Sequence, residues 1–208
     1  MMEHSWILIL AMIGHALCVY ADRLLLCTPG GNFSYSDIKD NKRMAKLFTT
    51  KPESETLRSI VLGTVAMFMQ FFGYLALGIW MRPYSALWAN IMIVGAAMIY
   101  TFGLAHHVQG CAAEWIYIRS DHTEEGRKLT ADFFGKTSAV MIGCYAGILI
   151  FSVAHFIPVV AGMTPLPAWA CVFNLLPLFL VQVPFHVPGA GNVAGAVMYL
   201  GLFILFLM

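Results

Sequence analysis

Ionisable side chains inside otherwise apolar segments are the residues of this chain that could do chemistry. Asp22 and Arg23 lie near the end of one apolar run. His106 and His107 lie in another, with Glu114 about two helical turns further on. A carboxylate beside an imidazole is the simplest arrangement for tuning a proton-transfer group. These five residues form our candidate polar pocket.

Helical spacing indicates a polar stripe in the second of these runs. His107, Cys111 and Glu114 fall at i, i+4 and i+7, so a helix would present them on one face. The stripe could line a polar entrance. An ordinary structural interpretation stays open, in which Asp22 and Arg23 mark a helix end, Arg23 reaches toward lipid headgroups and Glu114 is solvated.

Four other polar residues interrupt apolar runs and form a secondary set. They are His15, Gln70, His155 and Asn174. Histidine and carboxylates are common zinc and iron ligands, but the chain has no HExxH or Glu-x-x-His motif. The adjacent histidines would also project about 100° apart on a helix. We therefore expect no metal and no other cofactor.

The elements that position these residues follow from composition. The 208 residues are 60% hydrophobic and 11% charged, with a mean hydropathy of +0.75, outside the usual range for soluble proteins. Apolar stretches of about 20 residues recur, the length that crosses roughly 30 Å of hydrocarbon. Backbone groups in lipid must pair within their own segment, so these stretches should be helices. A net charge of +1 provides no electrostatic footprint for nucleic acid, and we expect no such partner.

The sequence predicts an all-α polytopic membrane bundle that forms a single domain over residues 1–208. About six transmembrane spans are expected, joined by short connections and one polar cytoplasmic loop at 27–56. The predicted spans are 6–26, 57–81, 86–110, 133–158, 168–183 and 190–208. Lys and Arg concentrate on alternate connections, so the positive-inside rule predicts that both termini are extracytoplasmic.

Depth along these spans predicts which candidates can meet. At about 1.5 Å of rise per residue, His15, His106 and His155 fall in different layers, which argues against one site containing all three. Asp22 falls at the level of His106 and His107. We therefore predict that Asp22 and at least one of these two histidines face the interior and approach each other.

Three local patterns carry further expectations. Pro177 predicts a bend in the fifth span, with Asn174 directed toward protein or water. Met44, Leu47 and Phe48 share one face of a short basic helix, which could lie on an anionic leaflet or belong to an ordinary solvated loop. Small-residue stripes on the fourth and sixth spans favour close helix packing, with homo-oligomerisation as the alternative. The stripes comprise Gly143, Gly147, Gly191 and Gly195.

Two segments carry a family resemblance. ADRLLL at 21–26 runs into PGG at 29–31, and PAW at 167–169 is followed by Phe173-Asn174 and Pro177. This pattern resembles a bacterial family of small polytopic membrane proteins known only as a domain of unknown function. The resemblance implies a multi-pass protein of the bacterial cytoplasmic membrane with the same helical architecture, and it supplies no activity.

Three classes of function fit these expectations, with membrane lipids as neighbours in each. The first is a bundle that binds or transports a small hydrophobic or amphipathic molecule through a polar pocket. The second is an intramembrane enzyme on a lipid-like substrate, with Asp22 and His106 or His107 as acid and base. The third is a structural or accessory subunit. A gapless apolar interior would favour the third class, and a closed pocket containing a carboxylate and histidine would favour the second. A cavity reaching both membrane faces would favour a transporter.

Overall fold

The computed structural model describes residues 5–185 and 187–208, and in these residues the chain is an all-α bundle, as predicted. Eight α-helices are present in the described ranges. In chain order they are α1 (Trp6–Leu26), α2 (Asn41–Phe48), α3 (Glu53–Met81), α4 (Ala86–Arg119), α5 (Glu124–Thr137), α6 (Ala139–Val160), α7 (Leu175–Gln182) and α8 (Ala190–Leu207). Five of them, α1, α3, α4, α6 and α8, are long and apolar enough to cross a membrane.

The long helices pack around an aromatic and aliphatic core. α1 lies between α3 and α8, while α4 lies between α3 and α6. Tyr74, Phe151 and Tyr199 are fully buried at the centre, with edge-on ring contacts of Tyr74 to both neighbours. Gly195 packs on His15 and Gly189 on Asp22, so α8 runs antiparallel to α1. The start of α1 and the end of α8 therefore lie at the same end of the bundle.

The segment predicted as the fifth span is divided in the structure. A 3-10 helix at Ala168–Val172 is followed by α7, whose eight residues extend only about 12 Å. Asn174 caps α7 by accepting a hydrogen bond from the Leu176 amide at 3.1 Å. The expected bend at Pro177 is replaced by a helix start, because Pro177 falls in the first turn, where its missing N–H costs no helical hydrogen bond.

The charged stretch before the predicted fourth span also forms a helix. α5 begins after Thr123, whose hydroxyl accepts a hydrogen bond from the Gly126 amide at 3.1 Å. Thr130 is buried in the middle of α5. The apolar helix α6 starts only after the break at Ser138.

The connection from Cys27 to Pro52 folds over one end of the bundle, and we call it the loop cap. It contains a two-stranded hairpin, β1 (Cys27–Thr28) with β2 (Gly31–Asn32), a 3-10 helix at Tyr35–Lys39, and α2. The apolar face of α2 is buried, with Phe48 edge-on to Tyr117 of α4 at 5.9 Å between ring centroids. Protein therefore covers the face that could have lain on a leaflet.

Candidate functional site

A cavity of about 340 Å³ lies between α1, α3, α4, α6, α7 and the start of α8. Small-molecule sites in proteins commonly occupy roughly 300–1,000 Å³. Much of the lining is apolar and comes from several helices. Examples are Met67, Ile99, Ile148, Leu175 and Phe179. The remaining lining is polar and contains a carboxylate and three histidines.

A continuous hydrogen-bonded series, which we call the polar chain, runs along one wall. The Tyr74 hydroxyl lies 3.2 Å from His15 Nε2, and His15 Nδ1 lies 3.0 Å from Asn192 Oδ1. Gln70 Nε2 donates to the same Asn192 oxygen at 3.1 Å. Asn192 Nδ2 then donates to Asp22 Oδ2 at 2.8 Å. The Asn192 amide thus joins α1, α3 and α8 in one network.

His107 extends the polar chain onto α4. Its Nδ1 lies 3.5 Å from Asp22 Oδ1, and its Nε2 lies 3.0 Å from the Ser59 carbonyl oxygen. A carbonyl can only accept, so Nε2 carries a proton. His107 Nδ1 and Asp22 Oδ1 are then both acceptors. A hydrogen bond between them would need one further proton. Asp22 and His107 therefore form a close polar contact on the cavity wall.

Backbone geometry at two glycines permits this arrangement. Gly189 has φ +71°, and a Cβ there would lie 2.9 Å from Asp22 Oδ2. The glycine therefore supplies a left-handed turn and a close approach that place Asn192 in the first turn of α8, beside Asp22. On α3, a Cβ at Gly63 would overlap the imidazole of His107.

The predicted meeting of Asp22 with one of the two adjacent histidines is present, through His107. His106 also borders the cavity, and its Nδ1 is buried without a hydrogen-bond partner in the described part of the chain. His15 borders the same cavity as His106, although their estimated depths differ, because the cavity extends along the helix axes. Gln70, a secondary candidate, belongs to the polar chain.

The other two members of the candidate pocket lie elsewhere. Arg23 is on the exposed face of α1. Glu114 is buried beneath the loop cap, where its Oε1 lies 2.6 Å from Lys51 Nζ and accepts from the Thr56 hydroxyl at 2.5 Å. Glu114 is therefore neither solvated nor part of an entrance, and its partner Lys51 comes from the segment that we predicted as loop.

His155 and Asn174 form a separate buried contact between α6 and the start of α7. Asn174 Nδ2 donates to the Ser152 carbonyl at 2.9 Å and lies 3.4 Å from His155 Nδ1. Asn174 is only 1% exposed, so it faces protein as predicted. Its bonds hold the break between the 3-10 helix and α7.

Three of the four stripe glycines pack within the chain. Gly143 lies under the Phe102 ring, Gly147 against the α4 backbone at Ile99, and Gly195 under His15. An added Cβ at the fourth, Gly191, would meet no atom within 4 Å. Close helix packing accounts for the first three, and homo-oligomerisation stays a prediction.

Sequence reasoning missed three residues in or beside the cavity. Asn192 is the bridge of the polar chain, and Cys18 lies one turn before Asp22 on the same face of α1. The Ser59 carbonyl accepts the hydrogen bond from His107 Nε2. Asn192 had a usable signal, because an amide in the first turn of an apolar helix is unusual.

Comparison with known proteins places the chain in a family. The model of DUF6796, a family of unknown function, matches residues 2–208, and the chain belongs to that family. This agrees with the resemblance inferred from the sequence. The chain matches no curated protein and no solved structure.

Proposed function

We propose that this member of the DUF6796 family is an integral membrane protein that binds a small amphipathic molecule in the cavity between its helices. The polar part of the molecule would contact the polar chain, and its apolar part would lie along the aliphatic and aromatic walls. The single observation that carries this proposal is the combination of a 340 Å³ cavity with one continuous hydrogen-bonding wall.

The composition of the two walls supports an amphipathic ligand. Side chains such as Met67, Ile99 and Phe179 offer contact only to apolar groups. The polar part of the lining offers the carboxylate of Asp22, whose side chain is 15% exposed. A purely apolar ligand would give that carboxylate no donor, whereas a polar headgroup with a donor could pair with it.

The position of Tyr145 on α6 supports access from the side of the bundle. Tyr145 borders the cavity, yet it is 50% exposed. Its neighbours on α6, Ile142 and Leu149, are also exposed and apolar, as expected for a face toward lipid. A molecule dissolved in the membrane could therefore reach the cavity by passing beside Tyr145.

We further propose that the bundle lies in a bacterial cytoplasmic membrane, with both termini extracytoplasmic and the loop cap in the cytoplasm. The Lys and Arg asymmetry supports the orientation. The bacterial setting rests on the family resemblance. This orientation puts the polar chain between mid-membrane and the cytoplasmic surface.

The test is recovery of a ligand from protein purified in native lipids. Native mass spectrometry of the wild type should detect one small amphipathic molecule bound per chain. Asp22→Asn should weaken its binding by about 10- to 100-fold, because a hydrogen bond to a charged group contributes about 1.5–3 kcal/mol. Asp132→Asn is the matched control, since Asp132 pairs with Lys136 on the exposed surface of α5.

Two results would contradict this proposal. One is wild-type protein that carries only exchangeable annular lipid, with no molecule retained through delipidation. The other is a ligand retained equally by the Asp22→Asn and Asp132→Asn variants.

An intramembrane enzyme is the second candidate, and the 3.5 Å contact of Asp22 Oδ1 with His107 Nδ1 favours it. An imidazole oriented by a carboxylate can serve as a general acid or base. In that case the retained molecule would be a substrate or product, and incubation with wild-type protein should convert it. Unchanged ligand after prolonged incubation with folded protein would exclude turnover of that molecule.

A further inference from the structure

We propose that Cys18, Asp22 and His107 form a binding site for a zinc-like transition-metal ion at one end of the cavity. One ligand atom from each residue lies within 4.8 Å of the other two. This inference is independent of the amphipathic ligand, because the metal needs only the three side chains.

The spacing of two of the ligand atoms is close to that of a tetrahedral site. His107 Nδ1 and Asp22 Oδ1 are 3.5 Å apart. Zinc bond lengths of about 2.0–2.2 Å to nitrogen and oxygen, with tetrahedral angles, separate two such atoms by about 3.3–3.5 Å. The third ligand atom, Cys18 Sγ, lies within 4.8 Å of both.

Rigid elements supply all three ligands. Cys18 and Asp22 fall at i and i+4 on α1, so both project toward α4 from one face. His107 projects back from α4 over the gap left by Gly63. No sequence motif indicates this site, because its ligands come from two helices that are far apart in the chain. For that reason we expected no metal from the sequence.

The groups behind the ligands have the arrangement found around metal-binding histidines and carboxylates. His107 uses Nε2 to donate to the Ser59 carbonyl at 3.0 Å, which leaves Nδ1 directed at Asp22. Asn192 holds Asp22 Oδ2 at 2.8 Å and leaves Oδ1 for the ion. Such partners fix the orientation of the ligands in known metal sites.

The ligand set indicates both the class of ion and its role. A thiolate, an imidazole and a carboxylate suit zinc or cobalt better than magnesium or calcium, which prefer oxygen ligands. Three protein ligands leave a fourth position open toward the cavity for water or a polar group of the bound molecule. On binding, the Cys18 thiol would lose its proton to solvent, and the ion would lie between the thiolate sulfur, Asp22 Oδ1 and His107 Nδ1.

Cobalt substitution tests the site in the full-length protein in detergent, with Co²⁺ alone as the probe. The wild type should bind one Co²⁺ per chain and develop a thiolate-to-cobalt charge-transfer band. Cys18→Ser should abolish this band. Cys144→Ser is the matched control, because Cys144 borders the same cavity outside the ligand cluster, and it should keep the band. Asn192→Ala should weaken binding by about 10- to 100-fold.

A measurement on the wild type removes any dependence on the folding of variants. X-ray absorption of the Zn²⁺-loaded protein should show one sulfur neighbour at about 2.3 Å with nitrogen and oxygen neighbours at about 2.0–2.2 Å. A spectrum without a sulfur neighbour would overturn the proposal. So would a cobalt band that persists in Cys18→Ser or disappears in Cys144→Ser.

Discussion

Replacement of Lys51 by Met would test how the loop cap is fixed to the bundle. Lys51 Nζ lies 2.6 Å from Glu114 Oε1 and donates to the Leu25 carbonyl at 2.7 Å. The side chains of Lys51 and Glu114 are 0% and 1% exposed. Lys51→Met fills a similar volume but leaves the Glu114 carboxylate buried without its cation.

The expected cost follows from that burial. Removing one partner of a buried ion pair destabilises a protein by about 3–5 kcal/mol, because the remaining charge cannot regain its hydration. For a chain of this size, about 2–4 °C of melting temperature accompanies each kcal/mol, so Lys51→Met should lower the melting temperature by about 6–20 °C. Replacing both charges, in Lys51→Met with Glu114→Leu, should restore much of this loss.

The assay is thermal unfolding of purified protein in one detergent, followed by circular dichroism. Lys136→Met is the matched control, since Lys136 forms a 2.7 Å ion pair with Asp132 on the surface, where the two side chains are 75% and 57% exposed. An exposed pair contributes only about 0–1 kcal/mol. If Lys51→Met is no more destabilising than Lys136→Met, the buried pair does not hold the loop cap.

Three further predictions concern the cavity, the helix break and the orientation. Gly63→Ala should destabilise the protein by about 1–3 kcal/mol and displace His107 from Asp22. Gly135→Ala is the control and should be nearly neutral, because an added Cβ there meets no atom within 4 Å. Equal thermal stabilities of the two variants would contradict the close approach of Gly63 to His107. Asn174→Ala should lower the free energy of unfolding by about 0.5–2 kcal/mol through loss of the α7 cap, measured by the same unfolding assay. Asn90→Ala is the control, since the Asn90 side chain accepts a hydrogen bond from exposed Arg82. The orientation can be tested by cysteine labelling in a chain that lacks its native cysteines. In intact cells, an impermeant maleimide should label a cysteine at the C-terminus but not one at Ser36. The reverse pattern would invert the orientation.

The sequence was sufficient for the all-α architecture because long apolar runs have few alternatives to membrane helices. It was insufficient for the fifth segment, where hydropathy alone does not distinguish a spanning helix from a broken one. Pro177 was a correct sign of irregular backbone. Its effect depended on Asn174, which accepts a hydrogen bond from the Leu176 amide and so caps α7 just before the proline.

The contact between Asp22 and His107 was predictable from their depth in the bundle. Asp22 and His107 lie at matched depth on neighbouring helices, so their contact followed from the cost of burying either one alone. The Asn192 bridge could not be predicted, because it depends on the left-handed turn at Gly189 and on the antiparallel packing of α8 on α1.

Glu114 shows why helical spacing alone was misleading. It shares a stripe with His107, but its side chain is enclosed by Lys51 from the loop cap and Thr56 from α3. Lys51, the cation that pairs with Glu114, comes from the loop cap. The sequence of α4 alone therefore could not predict this ion pair. Tertiary packing therefore separated two residues that periodicity had grouped.

Density for the protein purified in native lipids would show directly whether the cavity holds a ligand. We predict a non-protein molecule in the cavity between α1, α4 and α7, with a polar atom within hydrogen-bonding distance of Asp22, His106 or Asn192. Its apolar part should lie against Met67, Ile99 and Phe179. A cavity closed by protein side chains, or a molecule whose polar end points away from the polar chain, would contradict the proposed ligand site.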